Sequence, residues 1–501
     1  MKQRRYVLPF VIVLLCGCGP LPELNEQDPE TPPGELLARF AQIADVHVTD
    51  EESPARFLRL DGLAGMLNEA WRPQEAYAVH GLDASIEVLN AYHAGALPHS
   101  GKLDFVLVSG DVADNAQANE LRWFIDAMDG QQVTPDSGVQ DGGRRPVPAG
   151  ENPKLAYQTR GIHPEIAWFV ARGNHDARCA GVFPVQVDPS LPANRTAPVP
   201  WFAAWAAGLW LIEPGLCEMR PVSDLSPAVV TGAGPPIIPA TLQLDVVRLR
   251  SGSVVPDDAR RFLTKREFIA AFFETSTTPV GHGFTEANLT ENRACYSVRP
   301  KPDVPLRLIV LDTVPDTAPP ATFADFGVLP REQFDGFLVK EIAAAEKRGE
   351  FVLVMSHHPS ADFDRPFPGS NVSAAEFRWY VASQPNVIMH LCGHTHAHRI
   401  SIIPGIYPYA EVETASLIDL PQEMRVIELR YDDSTRTVHC IFRAVSHTAR
   451  PNPLSAEFSR RALVDAQATG IVYSRNLGDR VFTLALPRPR FVPAVLPVSK
   501  P

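Results

Sequence analysis

Five short blocks constrain this chain more than anything else in it. They are Asp45-Val46-His47, Gly110-Asp111-Val112-Ala113-Asp114, Gly173-Asn174-His175-Asp176, Ser356-His357-His358-Pro359 and Gly393-His394-Thr395-His396. Each directly follows a short apolar run that reads as a strand. The blocks offer only carboxylate, imidazole and amide donors, the groups that hold borderline divalent metals. A lone Asp-x-His is ordinarily a loop carboxylate beside a surface imidazole. Five such blocks, all at strand ends, call for a shared centre and for a fold that gathers strand ends from distant parts of the chain.

The pattern between the blocks supports such a fold. Strands are expected at Arg39 to Ala44, Asp104 to Ser109, Ile166 to Val170, Arg307 to Leu311, Phe351 to Met355 and Asn386 to Leu391. Helical apolar spacing runs over Phe57 to Ala70, Ala78 to Ala94, Gln117 to Met128, Thr264 to Phe273, Arg331 to Lys347, Ala374 to Ala382 and Ser455 to Ala468. From His398 onward, Arg425 to Tyr431 and Thr437 to Val445 alternate like antiparallel strands, and Arg480 to Leu486 adds a last one. Strands alternating with helices, then a run of strands, predict an α/β fold of two packed sheets flanked by helices. The stretch 177–290 interrupts the core and is expected to form a cap or pocket wall near the site. Its Trp201, Trp205 and Trp210 read as the insertion's own core or, failing that, as lining for an organic leaving group. A main domain at 37–455 and an extension at 456–501 packed on it complete the organisation.

A net charge of −12 argues against a nucleic-acid binder working through a basic surface. The N-terminus reads as a targeting segment, with Lys2, Arg4 and Arg5 ahead of an apolar run, Tyr6 to Leu15, too short to span a membrane. Leu15-Cys16-Gly17-Cys18 resembles a bacterial lipoprotein signal, with Cys16 where another small residue is usual. That resemblance implies a signal peptide at 1–17, a lipid on Cys18, a Pro-rich tether at 18–36 and a place in the cell envelope, by analogy the outer membrane; an ordinary secretory signal cut nearby is the rival reading. Of the cysteines, Cys179 and Cys217 share the insertion and are the first choice for a disulfide. Cys392 and Cys440 sit in apolar strands and read as buried thiols.

The order of the five blocks resembles the calcineurin-like metallophosphoesterases, over roughly residues 38 to 420. The resemblance implies a four-layer αββα sandwich of two mixed β-sheets, with two metal ions (Mn, Fe or Zn) at the carboxyl ends of the strands. It assigns Asp45, His47, Asp111 and His396 to the first ion. It assigns Asp111, Asn174, His357 and His394 to the second, with Asp111 shared. It implies phosphoester hydrolysis by a metal-bridging hydroxide, with His175 facing the leaving group. Asp176 is a candidate to fix the tautomer of His175. Asp114 reads equally as an orienting carboxylate or as a helix N-cap. The expected partner is a small phosphomonoester or phosphodiester; nucleotides and phospholipid head groups are the enzymatic alternatives. A non-catalytic metal- or ligand-binding envelope lipoprotein is the alternative from another class. His358 reads as structural, His398 as a solvated or core residue, and His282 as a surface-loop residue with substrate contact as its alternative.

Overall fold

Residues along the central strands alternate between two apolar cores, and that alternation sets the architecture. The protein is described from a computed structural model, which covers residues 31–53, 72–138, 152–184, 257–315, 326–364, 371–469, 473 and 480–494. The expected helix at 57–70, the signal, the tether as far as residue 30, most of the insertion including its three tryptophans, and Cys217 lie outside the described residues; the tether's expected end at 36 is too late, since Glu35 and Leu36 already belong to the first strand.

In the first sheet, strands β1 (Glu35–Ile43), β2 (Phe105–Val108) and β3 (Ala167–Val170) run parallel. The second is built around β4 (Tyr296–Val298), β5 (Leu306–Val310), β6 (Phe351–Met355), β7 (Val387–Cys392), β8 (Arg399–Ile403) and β9 (Tyr409–Glu413). The chain then returns to the first sheet with β10 (Glu423–Asp432), β11 (Thr437–Ser446) and β12 (Val481–Pro487). Strand order is β12-β11-β10-β1-β2-β3 in one sheet and β8-β9-β7-β6-β5-β4 in the other. Both sheets are mixed, since β10, β11, β12, β4 and β8 pair antiparallel with their neighbours.

Side-chain direction decides which face each residue serves. Leu308, Val310, Leu353 and Met355 belong to the core shared with the first sheet. Their neighbours Ile309, Val352 and Val354 belong to a second core with the helices Val339–Lys347 and Ala374–Val381. Phe351 of β6 lies 5.4 Å from Tyr431 of β10, a contact made across the two sheets. On the far side of the first sheet are α1 (Ala78–His93) and α2 (Ala118–Asp129). Leu121, Phe124, Ile125 and Met128 form the buried face of α2, and Phe124 meets Trp168 of β3 at 6.0 Å. Helix, sheet, sheet, helix is the expected sandwich.

Some expectations need correction. Residues 257–290 were expected in a cap, yet Phe268, Phe272 and Phe284 join the main core, and Phe272 packs against Trp168 at 6.0 Å. His282 is not on the surface. It is fully buried, stacked on Trp168 at 3.3 Å, and its Nδ1 faces the Trp168 carbonyl at 3.2 Å. Burying those large rings outweighs the exposure that Pro and Gly in the flanking loop suggest. The boundary at 455/456 falls inside the helix Pro453–Thr469, and β12 completes a sheet rather than packing outside it. The helix expected over 331–347 contains one π turn, Phe334–Leu338.

Candidate metal centre

All five donor blocks leave the carboxyl ends of parallel strands. Asp45 and His47 follow β1, Asp111 follows β2, Asn174 and His175 follow β3, His357 follows β6, and His394 and His396 follow β7. Because β1, β2 and β3 are parallel, as are β6 and β7, these ends collect on one side of each sheet. The backbone there is bent in an unusual way. Asp45, His47, Asp111, His394 and His396 have φ of 51°, 49°, 52°, 69° and 55°, in the left-handed region. Each such residue carries about 1–3 kcal/mol of strain, tolerable only where its surroundings overdetermine it. They do so here: both Asp45 carboxylate oxygens accept from the His394 N–H at 3.0 Å, and the His47 N–H donates to the Asp111 carbonyl at 3.0 Å. Gly173 completes the close packing, for a Cβ there would lie 2.0 Å from Asp111 Oδ1.

The first cluster is Asp45, His47 and His396, all buried. The Nδ1–H of His47 donates to Asp114 Oδ1 at 2.9 Å, and the Nδ1–H of His396 donates to Asp419 Oδ2 at 2.7 Å. Burial first, and then the charge of His175, push His47 down to about 4 against the pull of Asp114. It is therefore neutral at pH 7, with its lone pair on Nε2. That Nε2 faces the Nε2 of His396 at 3.3 Å, and Asp45 Oδ1 is 3.5 Å from the latter.

The second cluster forms around His357. Its Nδ1–H donates to the Ser109 carbonyl at 2.9 Å, which turns Nε2 toward Asp111 Oδ2 at 3.0 Å and Asn174 Oδ1 at 2.9 Å. The Asn174 amide group donates to the Gly181 carbonyl at 3.1 Å, so its oxygen is the atom presented to the site. Asp111 Oδ2 is also 3.9 Å from His47 Nε2, placing this carboxylate between the clusters. His394 comes in from the other side, its ring 5.2 Å from that of His357. Lone pairs of nitrogen and oxygen thus converge at both places. With the imidazoles neutral such a set is complementary to cations, so the residues fit metal ions. Without metal, burial opposes charge on His357, but Asp111 outweighs it and raises the imidazole to about 9, another sign of unmet positive charge.

His175 stands beside both clusters, its ring 4.4 Å from that of His47. Its Nδ1–H donates to the Asp114 carbonyl at 2.8 Å, with Asp114 Oδ1 at 3.3 Å. Burial opposes its charge, but Asp111 and then Asp114 outweigh it and hold His175 at about 9. Its Nε2 has room because residue 181 is glycine: a Cβ there would lie 2.2 Å away. Asp176, a candidate to fix the His175 tautomer, does something else. It accepts the backbone N–H groups of Asp111, Val112, Ala113 and Gly173 at 2.8–3.0 Å, and so shapes the loop that carries Asp111. Nor is Asp114 an N-cap; α2 begins after Gln117.

Of the remaining histidines, His358 turns away to meet Thr313 Oγ1 at 2.8 Å, although one nitrogen each of His357, His358 and His394 lie within 4.8 Å of one another. His398 is buried, with Nε2 3.3 Å from Glu423. Cys392 and Cys440 are buried free thiols, and burial pushes Cys440 up to about 12. Cys179 is buried, its thiol 3.8 Å from Asn115. Sequence reasoning missed Asp419, Arg72, Asp362 and Tyr473. Asp362 Oδ2 is 3.7 Å from His394 Nε2, and the Tyr473 ring is 5.3 Å from that of His396. None of these four belongs to a donor block, so only the fold discloses them.

Residues 38–216 match the family model of the calcineurin-like phosphoesterases. That stretch carries Asp45, His47, Asp111, Asn174 and His175, whereas His357, His394 and His396 lie beyond it. Among solved structures the chain is similar to a dimetal phosphatase from Danio rerio, at 9% identity and a TM-score of 0.38, over 82% of this chain and 97% of that one. So distant a likeness lends nothing to the chemistry above. No curated protein matches the chain.

Proposed function

We propose that this chain, whose residues 38–216 match the family model of the calcineurin-like phosphoesterases, is a metal-dependent phosphoester hydrolase that acts on small phosphomonoesters or phosphodiesters. The observation that carries this reading is the set of carboxylate, amide and imidazole ligand atoms gathered around Asp111, with the His175 ring at its edge. Asp45, His47, Asp111 and His396 would hold one ion, and Asp111, Asn174, His357 and His394 the other. A cation pair supplies Lewis acidity, offsetting the charge of the ester and making water a nucleophile near neutral pH.

The rest is done by the chain itself. Asp114 holds the His175 ring through Nδ1, and the missing side chain at Gly181 leaves room for Nε2. His175 in its protonated form donates the Nε2 proton to the departing oxygen. The ligands are otherwise buried, and only part of the His175 and His394 side chains reaches solvent, 13% and 20%.

The test is a substrate panel with purified protein and added Mn, Zn or Fe. Metal-dependent turnover of p-nitrophenyl phosphate or bis-p-nitrophenyl phosphate is expected. Turnover of nucleotides alone points to a nucleotidase, and bound metal without any turnover refutes the enzymatic reading. The envelope location rests on Leu15-Cys16-Gly17-Cys18. Cys18→Ala is expected to move the protein out of the membrane fraction; unchanged partition refutes the lipid anchor.

A further inference from the structure

We propose that Arg72 is a positioning residue for the first metal site, the shared cation that fixes the two carboxylates holding the imidazoles of His47 and His396. The inference rests on the dinuclear reading above. Arg72 lies far from every donor block in sequence, yet its side chain is 2% exposed beneath the centre. Its Nε–H donates to Asp419 at 3.0 and 3.2 Å, and its Nη1 is 3.7 Å from Asp114 Oδ1. Those are the carboxylates that take the Nδ1–H of His396 and of His47. One guanidinium therefore stands behind both rings.

Its placement is itself secured. The Arg72 backbone N–H donates to Glu75 Oε2 at 3.2 Å, and the Gln74 side-chain amide donates to Asp419 Oδ1 at 3.2 Å. The physical argument is charge. Asp45, Asp111, Asp114 and Asp419 are four buried carboxylates in one region. Metal ions would answer Asp45 and Asp111. Asp114 and Asp419 stand one residue farther out; Arg72 is the guanidinium that reaches both, with His175 also 3.3 Å from Asp114. Without Arg72, Asp419 loses the Nε–H donor that fixes it, Asp114 loses the guanidinium beside it, and both carboxylates are freer to rotate. The imidazole each holds then loses its acceptor, and its Nε2 no longer points at the metal. Outer partners of this kind set ligand orientation and basicity, and their loss lowers metal affinity by about 10–100-fold.

The two sites differ in this respect. His357 is held by the Ser109 carbonyl, a neutral acceptor that needs no cation behind it. Removing Arg72 should therefore weaken the first site and spare the second.

The experiment is metal titration of the purified full chain by calorimetry, with metal counted by elemental analysis after dialysis against buffered Zn. Wild type should bind two ions; if it binds fewer, the dinuclear reading fails, independently of Arg72. Arg72→Met should retain one ion tightly and bind the other about 10–100-fold more weakly, and Arg72→Lys should recover part of that loss. Two ions bound at wild-type affinity, with only a lower melting temperature of the metal-free form, overturn the proposal, as does equal weakening of both sites. Should Arg72→Met fail to fold, Arg72→Gln makes the same test: one ion weakened supports the proposal, and two retained or both weakened equally overturn it.

Discussion

His175→Ala isolates the proton-donating part of this chemistry from the metal-holding part. The ring is anchored by a hydrogen bond from Nδ1 to the Asp114 carbonyl, its Nε2 packs against Gly181, and its side chain is 13% exposed. In the metal-free protein Asp111 and Asp114 keep it charged up to about pH 9; cations bound at Asp111 offset part of that field and move the limit lower. A positioned acid contributes about 10²–10⁴ in rate, or roughly 3–5.5 kcal/mol of barrier. That contribution is needed only where the departing oxygen is a poor leaving group. His175→Ala should therefore lower kcat/KM by about 10²–10⁴ for an alkyl phosphoester, and by about tenfold or less for the p-nitrophenyl ester. Steady-state assays on the two esters, with metal counted in the same samples, decide the matter. An equal loss on both esters, or loss of metal along with activity, refutes the role assigned to His175.

Two further expectations concern stability. Burial holds His282 at about 3, far below a free imidazole. Its folded-state value is the lower one, so the unfolded chain takes a proton that the folded chain refuses, and stability drains as pH falls from about 6.5 toward 3. By pH 4.5 this amounts to roughly 2–3 kcal/mol. His282→Gln should flatten the pH dependence of the melting temperature over that range; an unchanged slope contradicts it. Asp176→Asn should weaken four backbone hydrogen bonds that include the Asp111 N–H, for about 1.5–3 kcal/mol of stability in chemical denaturation of the metal-free protein. A wild-type denaturation midpoint rules that role out.

The donor blocks are legible in the sequence because a parallel strand buried on both faces leaves a continuous apolar run, and the residue after it lies at a strand end. Phe105–Val108 before Gly110-Asp111 and Phe351–Met355 before His357 are such runs. The two-sheet sandwich follows from the switch between helical and alternating periodicity. What stayed hidden is set by packing at long range. Asp419 follows β9 in a stretch with no donor pattern, and it acts only because β9 lies beside β7, which delivers His396. Arg72 meets it across 347 residues of chain. His282 looked like a loop residue because Gly281 and Gly283 flank it; the stacking on Trp168 belongs to the fold.

The most direct test of the account is a crystal structure of the metal-loaded protein with anomalous scattering recorded at the metal edge. Two peaks are expected, one between His47 and His396 and one between Asn174 and His357, with Asp111 touching both. A single peak, or peaks away from Asp111, would contradict the dinuclear centre.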